Sequence, residues 1–220
     1  MNVWAIVPVK PFRDSKSRLA HILSADQRAK LTGAMLRRTL DILADMPAIQ
    51  RALVISRDPG VLKLARQHDA MTYEESEKQD LNTALIRAAH ITAAQKADCA
   101  LILPADLPFL TAEDVTRVLE AATPEACNGG NGYLSRRRGM AICSDREGDG
   151  TNALLVCPPT GFTFHYGPGS FQRHMDEAER LGRGRCVVDT PGIRFDLDTE
   201  ADYEDYLARF EEFEETLTHA

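Results

Sequence analysis

The sequence has few of the features that mark disulfide-rich, membrane or nucleic-acid-binding proteins. Its five cysteines are scattered over 220 residues without a Cys-x-x-Cys pair, so we expect neither a disulfide framework nor a zinc site. The formal net charge of -7 argues against a broad nucleic-acid surface. The apolar run at 3–9 is too short to cross a membrane and has no basic leader. We therefore expect a cytoplasmic protein with no membrane or nucleic-acid partner.

The sequence also lacks the common phosphate-binding and nucleophile motifs. Neither G-x-x-x-x-G-K-[ST] nor G-x-G-x-x-G occurs, which disfavours P-loop and dinucleotide-binding proteins. No Ser-His-Asp or Cys-His arrangement is recognisable. His165 and His174 are the only histidines near other candidate residues. His174 lies one turn past Ser170 in a predicted helix and could contact an anion, but a surface or packed histidine explains it at least as well.

Apolar runs alternate with amphipathic segments along the chain, and this alternation predicts the fold class. A chain of this length suits one domain, residues 1–220. We predict a single α/β domain with a mostly parallel mixed sheet flanked by helices, whose ligands bind at the carboxyl ends of the strands. The predicted strands are 3–9, 52–56, 71–74, 100–104, 140–144, 153–157, 186–189 and 193–197, and the predicted helices begin near 24, 59, 81, 111, 170 and 199.

The loop at 10–18 follows the first predicted strand and is rich in cations. It contains Lys10, Arg13, Lys16 and Arg18. Cations and backbone N–H groups are what bind a triphosphate, and the position at a strand end favours that role. The alternative is a solvated basic loop.

Three aspartates follow apolar stretches at predicted strand ends. Asp106 lies in a Pro-Ala-Asp-Leu-Pro turn, and Asp196 and Asp198 alternate with Phe195 and Leu197. In an extended segment the two carboxylates share one side, where they repel each other unless a cation lies between them. Together the three carboxylates could bind Mg²⁺. The alternatives are a turn aspartate at 106 and a helix cap at 198 or 199.

Two glycine-rich turns, 148–152 and 166–171, are candidates for an anion site. The second opens a helix, so free N–H groups and the Ser170 hydroxyl could bind an anion there. Ordinary hairpin and capping chemistry is the alternative. We interpret the basic run 136–138 and the acidic run 211–215 as solvated surface.

Several segments, in this order, resemble the guanylyltransferases of deazaflavin (coenzyme F420) biosynthesis. They are WAIVPVK at 4–10, KSRL at 16–19, PADLP at 104–108, GTNAL at 150–154, YGPGSF at 166–171 followed by His174, and FDLDT at 195–199. The resemblance implies a nucleotide-diphospho-sugar transferase-like (GT-A-like) fold, similar to that of the molybdenum-cofactor guanylyltransferases. Residues 125–138 match no motif of this family.

The resemblance also implies roles for individual residues. Asp106, Asp196 and Asp198 would bind Mg²⁺. Lys10, Lys16 and Arg18 would face the phosphates of GTP, with Lys16 and Arg18 acting beside Asp106 in catalysis. Thr151, Gly167 and Ser170 would hold a small phosphorylated acid, largely through its carboxylate.

The implied reaction joins GMP to that acid. A phosphate oxygen of 2-phospho-L-lactate, phosphoenolpyruvate or 3-phospho-D-glycerate would attack the α-phosphorus of GTP, and pyrophosphate would leave. The product would pass to the transferase that joins it to the deazaflavin precursor. Two alternatives remain: another nucleotidyl- or glycosyltransferase of the same fold, or a non-catalytic nucleotide-binding regulator.

Overall fold

Seven strands form one sheet in the computed structural model, which describes residues 1–76, 80–122 and 139–218, with side chains as far as residue 209. The strand order is β3-β2-β1-β4-β6-β5-β7. Strand β6 is antiparallel to both its neighbours, and the other neighbouring pairs are parallel. The mostly parallel mixed sheet is thus confirmed. The strands are β1 Val3–Pro8, β2 Ile49–Ser56, β3 Met71–Glu74, β4 Cys99–Ile102, β5 Gly139–Ser144, β6 Thr151–Cys157 and β7 Gly184–Val187.

Helices cover both faces of the sheet, and side-chain caps set where several of them begin. Ser24 forms the predicted capping box with Gln27, and Thr111 forms one with Asp114. The helices are α1 Ala25–Ala44, α2 Pro59–Gln67, α3 Leu81–Ala94, α4 Ala112–Ala121, α5 Ser170–Arg180, α6 Pro191–Arg194 and α7 Glu200–Thr218, with a short 3₁₀ helix at Ser17–Leu19.

Strand β1 lies at the centre of the sheet, which explains its continuous apolar sequence. Val3, Ala5 and Val7 pack into the cluster beneath α1, α2 and α4. Trp4 and Ile6 pack into the cluster beneath α3 and α5 on the opposite face. Because successive side chains of a strand point to opposite faces, a strand covered on both faces must be apolar at every position.

The prediction of a strand at 193–197 is wrong. Pro191 begins the one-turn helix α6, and the chain then continues irregularly across the edge of the sheet. The N–H of Leu197 donates to the carbonyl of Asp106 at 3.1 Å, so the segment is held over the end of β4 without joining the ladder. The expected alternation persists, since Phe195 and Leu197 are buried while Asp196 and Asp198 remain partly exposed.

The cysteine pattern argues against a disulfide framework, yet the structure contains a disulfide bond that the sequence does not predict. Cys99 and Cys157 are bonded, although they are 58 residues apart. They belong to the antiparallel strands β4 and β6, whose register sets Ala100 opposite Val156 and so brings the two cysteines face to face, with Cα atoms 4.4 Å apart. Cys143 and Cys186 are free thiols.

Some predictions fall outside the described residues. The segment 125–138, including the arginines at 136–138, is one of them, as are the side chains of the acidic run 211–215. None of the helices in the described ranges is both long and apolar enough to cross a lipid bilayer.

Candidate functional site

A cavity of about 420 Å³ opens at the carboxyl edge of the sheet, where the sequence places the chemistry. Because β6 is antiparallel to β4, its first residues reach the same edge as the last residues of β1 and β4. The polar residues that line the cavity are Lys10, Asp14, Ser15, Lys16, Thr32, Arg57, Glu75, Asp106, Thr151, Asn152, Tyr166, Asp196 and Asp198.

Lys16 joins two of the three predicted metal-binding carboxylates. Its buried ammonium lies 2.9 Å from Oδ2 of Asp106 and 2.9 Å from Oδ1 of Asp198. Burial alone would lower the pKa of Lys16, but the two carboxylates outweigh that effect and raise it. Lys16 adopts a left-handed backbone conformation with φ 52°, which is unfavourable for a residue with a side chain. The ion pairs therefore hold Lys16 in a conformation that the local sequence does not favour.

Asp198 is available to Lys16 because another residue caps the last helix. The hydroxyl of Thr199 accepts a hydrogen bond from the N–H of Asp202, whose carboxylate in turn accepts from the N–H groups of Asp198 and Thr199. Burial raises the pKa of Asp198, but the charges of Lys16, Lys10 and Arg18 outweigh this and lower it. The helix-cap alternative thus applies to Thr199, and the Asp198 carboxylate faces the cavity.

The surroundings of Asp196 disfavour the ionised form of its carboxyl group. Burial, followed by the charge of Asp106, raises its pKa to about 6, although a hydrogen bond from Asn152 opposes the shift. The amide of Asn152 donates to Oδ1 of Asp196 at 3.2 Å and to the carbonyls of Ile193 and Arg194. Asn152 therefore fixes the segment that carries Asp196, a role that its place in the GTNAL stretch does not reveal.

The charge balance of the cavity favours a divalent cation. Five carboxylates line it (Asp14, Glu75, Asp106, Asp196 and Asp198) against three cations (Lys10, Lys16 and Arg57), an excess of two negative charges. Among the described residues, however, no group of three acidic, histidine or cysteine side chains is close enough together to hold a metal ion. The Lys16 ammonium holds two of the carboxylates together, and hard oxygen ligands of this kind suit Mg²⁺. The oxygen-rich lining is chemically compatible with Mg²⁺, and binding of the ion stays a prediction.

The cationic loop contributes less to the cavity wall than the sequence suggests. Lys10 and Lys16 line the cavity, whereas Arg13 and Arg18 are exposed and do not. Arg57, which follows β2, lines the cavity and forms an ion pair with Asp14 at 3.1 Å. Sequence reasoning missed Arg57 because it is a single arginine after a strand, without a distinguishing pattern.

A chain of hydrogen bonds connects Thr151 to the fully buried His174. Nε2 of His174 accepts from the N–H of His165 at 2.9 Å, so in the neutral ring Nδ1 carries the proton and donates it to the Thr151 hydroxyl at 3.1 Å. Burial lowers the pKa of His174 to about 3, which keeps the ring neutral. The Ser170 hydroxyl also donates to Thr151, at 3.1 Å. Both lone pairs of the Thr151 oxygen are then used, and its own proton is left for the cavity.

The helix start at 169–171 is less open to an anion than the sequence suggests. The carboxylate of Asp149 accepts from the N–H of Gly169 at 2.8 Å, and its carbonyl accepts from the N–H of Phe171 at 3.0 Å. Ser170 is buried and does not line the cavity, and neither does Gly167, whose φ of 120° requires glycine. Of the three predicted acid-binding residues, only Thr151 reaches the cavity wall.

The architecture is similar to that of known nucleotidyltransferases. A nucleotidyl transferase structure from Methanothermobacter thermautotrophicus superposes with a TM-score of 0.62 over 96% of this chain and 98% of that chain, at 13% identity. A structure of 4-diphosphocytidyl-2C-methyl-D-erythritol synthase from Anaerococcus prevotii gives a TM-score of 0.60 over 95% and 96% of the two chains, at 11% identity. At these identities the likeness concerns the fold alone.

Sequence relatives are considerably closer. A phosphoenolpyruvate guanylyltransferase from Rubrobacter xylanophilus is 39% identical over 96% of this chain and 94% of its own length. A 2-phospho-L-lactate guanylyltransferase from Methanothermobacter thermautotrophicus is 32% identical over 92% and 82%. The family model described as "Guanylyl transferase CofC like" matches residues 3–212. The chain therefore belongs to the CofC-like guanylyltransferase family, and it is a nucleotidyltransferase.

Proposed function

We propose that this protein transfers GMP from GTP to the phosphate of a small phosphorylated three-carbon acid and releases pyrophosphate. Family membership and the names of the relatives support the reaction class. The observation that carries the proposal is the pairing of Lys16 with Asp106 and Asp198 in a cavity that has an excess of carboxylates. This arrangement suits a triphosphate that arrives with a divalent cation.

The reaction needs no general base. An anionic phosphate oxygen of the acid forms a bond to the α-phosphorus while the bond from that phosphorus to the β-bridging oxygen breaks, and pyrophosphate takes the electron pair. Catalysis then rests on positioning and on neutralising charge. Lys10 and Lys16 lie at the cavity wall for this purpose, and Arg18 lies close enough to influence Asp198.

Asp106, Asp196 and Asp198 would hold Mg²⁺. When bound, the ion supplies neutralisation of the negative charge on the triphosphate. Burial and then the charge of Asp106 raise the pKa of Asp196 in the protein alone, and the ion would relieve the repulsion between the two carboxylates. Asn152 fixes Asp196, and the backbone bond between Leu197 and Asp106 fixes the distance between the two carboxylate-bearing segments.

The acid would bind at the Thr151 end of the cavity. The Thr151 hydroxyl, whose oxygen accepts from both His174 and Ser170, would donate its proton to the acid's carboxylate. Ser170 would act through Thr151, and Gly167 would shape the turn behind it. We further propose that the product passes to the transferase that joins it to the deazaflavin precursor of coenzyme F420, and that the protein works in the cytoplasm.

The decisive experiment is an in vitro transfer assay. The protein is incubated with GTP, Mg²⁺ and, separately, phosphoenolpyruvate, 2-phospho-L-lactate or 3-phospho-D-glycerate, and pyrophosphate release is measured. Mass spectrometry should identify the guanosine diphospho-acid, and the deazaflavin-precursor transferase should consume it. Pyrophosphate release with another nucleotide or with a sugar phosphate alone would favour a different transferase, and GTP binding without turnover would favour a regulator.

A further inference from the structure

The cavity extends past the carboxylates to the ends of β2 and β3, where the proposed reaction assigns no residue. Arg57, Glu75 and Leu81 line this part. Across the edge of the sheet the strands run β3, β2, β1, β4, β6, so Glu75 and Thr151 lie at opposite ends, with Asp106 between them. Neighbouring strands are about 4.8 Å apart, so the two ends are separated by roughly four strand spacings.

This order assigns an end of the cavity to each half of the reaction. In the proposed reaction, bonds form and break at the α-phosphorus of GTP, beside Asp106 and Lys16. The attacking oxygen and the departing pyrophosphate lie on opposite sides of the α-phosphorus, and the nucleoside extends to the side of that line. With the acid at Thr151 and the pyrophosphate beside Lys10 and Lys16, the part of the cavity left for the nucleoside is at the ends of β2 and β3. The inference that follows therefore rests on the proposed function, and specifically on the acid's position at Thr151.

The carboxylate of Glu75 is chemically suited to bind a nucleobase. Its carboxylate is half-buried, and no described residue donates a hydrogen bond to it. Burial raises its pKa, while the nearby positive charge of Arg57, itself paired with Asp14, opposes the rise. This carboxylate has two acceptor oxygens side by side and no hydrogen-bond donor among the residues that the structure describes. Leu81, 39% exposed and also in the cavity wall, adds an apolar surface beside it.

We propose that Glu75 accepts hydrogen bonds from the N1–H and the 2-amino group of guanine, with Leu81 packed against the purine ring, so that this end of the cavity is a guanine-selective subsite. Guanine presents these two donors next to each other, matching the two oxygens of one carboxylate. Adenine presents a ring nitrogen acceptor at the equivalent position, which faces the carboxylate lone pairs unfavourably. The same contact therefore attracts GTP and rejects ATP.

The test compares GTP with ITP, which lacks only the 2-amino group, and with ATP. In the parent protein kcat/KM should fall about 10-fold from GTP to ITP, the loss of one hydrogen bond to a charged group, and further for ATP. In Glu75→Gln the efficiency with GTP should fall at least about 10-fold, and the ratio of GTP to ITP should shrink to within about threefold. Glu74→Gln is the matched control, since it removes the same charge at the preceding, exposed position and should keep the parental ratio.

Equal losses with GTP and ITP in Glu75→Gln, leaving their ratio unchanged, would overturn the inference, because Glu75 would then have only a structural role. Calorimetric titration with each nucleotide, without any acid, separates this result from a failure of the proposed function. Preferential binding of GTP over ITP that disappears in Glu75→Gln would support the subsite even if no acid is converted. Conversion of an acid together with an unchanged nucleotide ratio would refute the subsite alone.

Discussion

The hydrogen-bond chain behind Thr151 makes His174 a positioning residue with a testable effect. His174→Leu puts an apolar side chain of moderate size in place of the imidazole and removes the proton donated to the Thr151 hydroxyl. That hydroxyl can then turn its own proton away from the cavity and present lone pairs to the acid's carboxylate. His174→Asn places an amide N–H near the position of Nδ1, so it should preserve the donor.

The expected magnitude follows from the geometry. Losing the preferred orientation of one hydrogen bond costs about 1 kcal/mol, so KM for the acid should rise about fivefold in His174→Leu and less than twofold in His174→Asn. KM for GTP should be unchanged in both, since the chain touches only the Thr151 end of the cavity. In a Thr151→Val background, His174→Leu should add almost nothing, because the hydroxyl that it orients is already gone.

The free energy of unfolding of the two His174 variants provides the control for this prediction. Both His174 substitutions remove the acceptor for the N–H of His165, which should cost about 1 to 3 kcal/mol in either case. Urea unfolding should therefore show similar losses, while steady-state kinetics with saturating GTP should distinguish the two variants. Equal increases in KM for the acid in both variants would refute the orientation argument and leave His174 a purely structural residue.

Three further outcomes are expected. Asp106→Asn should lower kcat at least about 100-fold with an unchanged circular dichroism spectrum, and near-normal turnover would exclude Asp106 as a metal ligand. Because folding raises the pKa of Asp196 to about 6, its ionisation between pH 4 and pH 6 opposes folding. Asp196→Asn should thus stabilise the metal-free protein by about 1 to 2 kcal/mol at pH 7.5, after allowance for solvent screening, and hardly at pH 4, as thermal unfolding would reveal. Replacing Cys99 and Cys157 by serine should lower the free energy of unfolding by about 4 kcal/mol for this 58-residue separation; identical urea curves with and without reductant in the parent would contradict this.

Local sequence determined most of the secondary structure, because burial and capping leave short-range patterns. The apolar run of β1 predicted a strand buried on both faces, and Ser24 with Gln27 predicted where α1 begins. The alternation of Phe195 and Leu197 with two aspartates correctly predicted which side chains are buried, although the segment is not a strand. Side-chain alternation needs only an extended backbone, whereas a strand also needs a free neighbouring edge.

The sequence predicts where the site lies in the fold but not which of its residues contact one another. Buried strands deliver Lys10 and Asp106 to one edge of the sheet, a consequence of parallel topology that the alternation already predicts. The sequence could not show that Lys16 bridges Asp106 and Asp198, which are 90 and 182 residues away from it. Nor could it show that Asp149 occupies the N–H groups at the start of α5, leaving Thr151 as the predicted acid ligand at the wall.

By itself, then, the sequence determined the α/β class, the edge of the sheet at which the cavity opens, and the three aspartates that line this cavity. Tertiary structure decided which charges meet, that Cys99 faces Cys157, and that Glu75 and Arg57 extend the cavity. The physical reason is that periodicity records only whether a residue is buried. Contacts between distant residues depend on strand order and register, and these are fixed when the antiparallel strand β6 inserts beside β4.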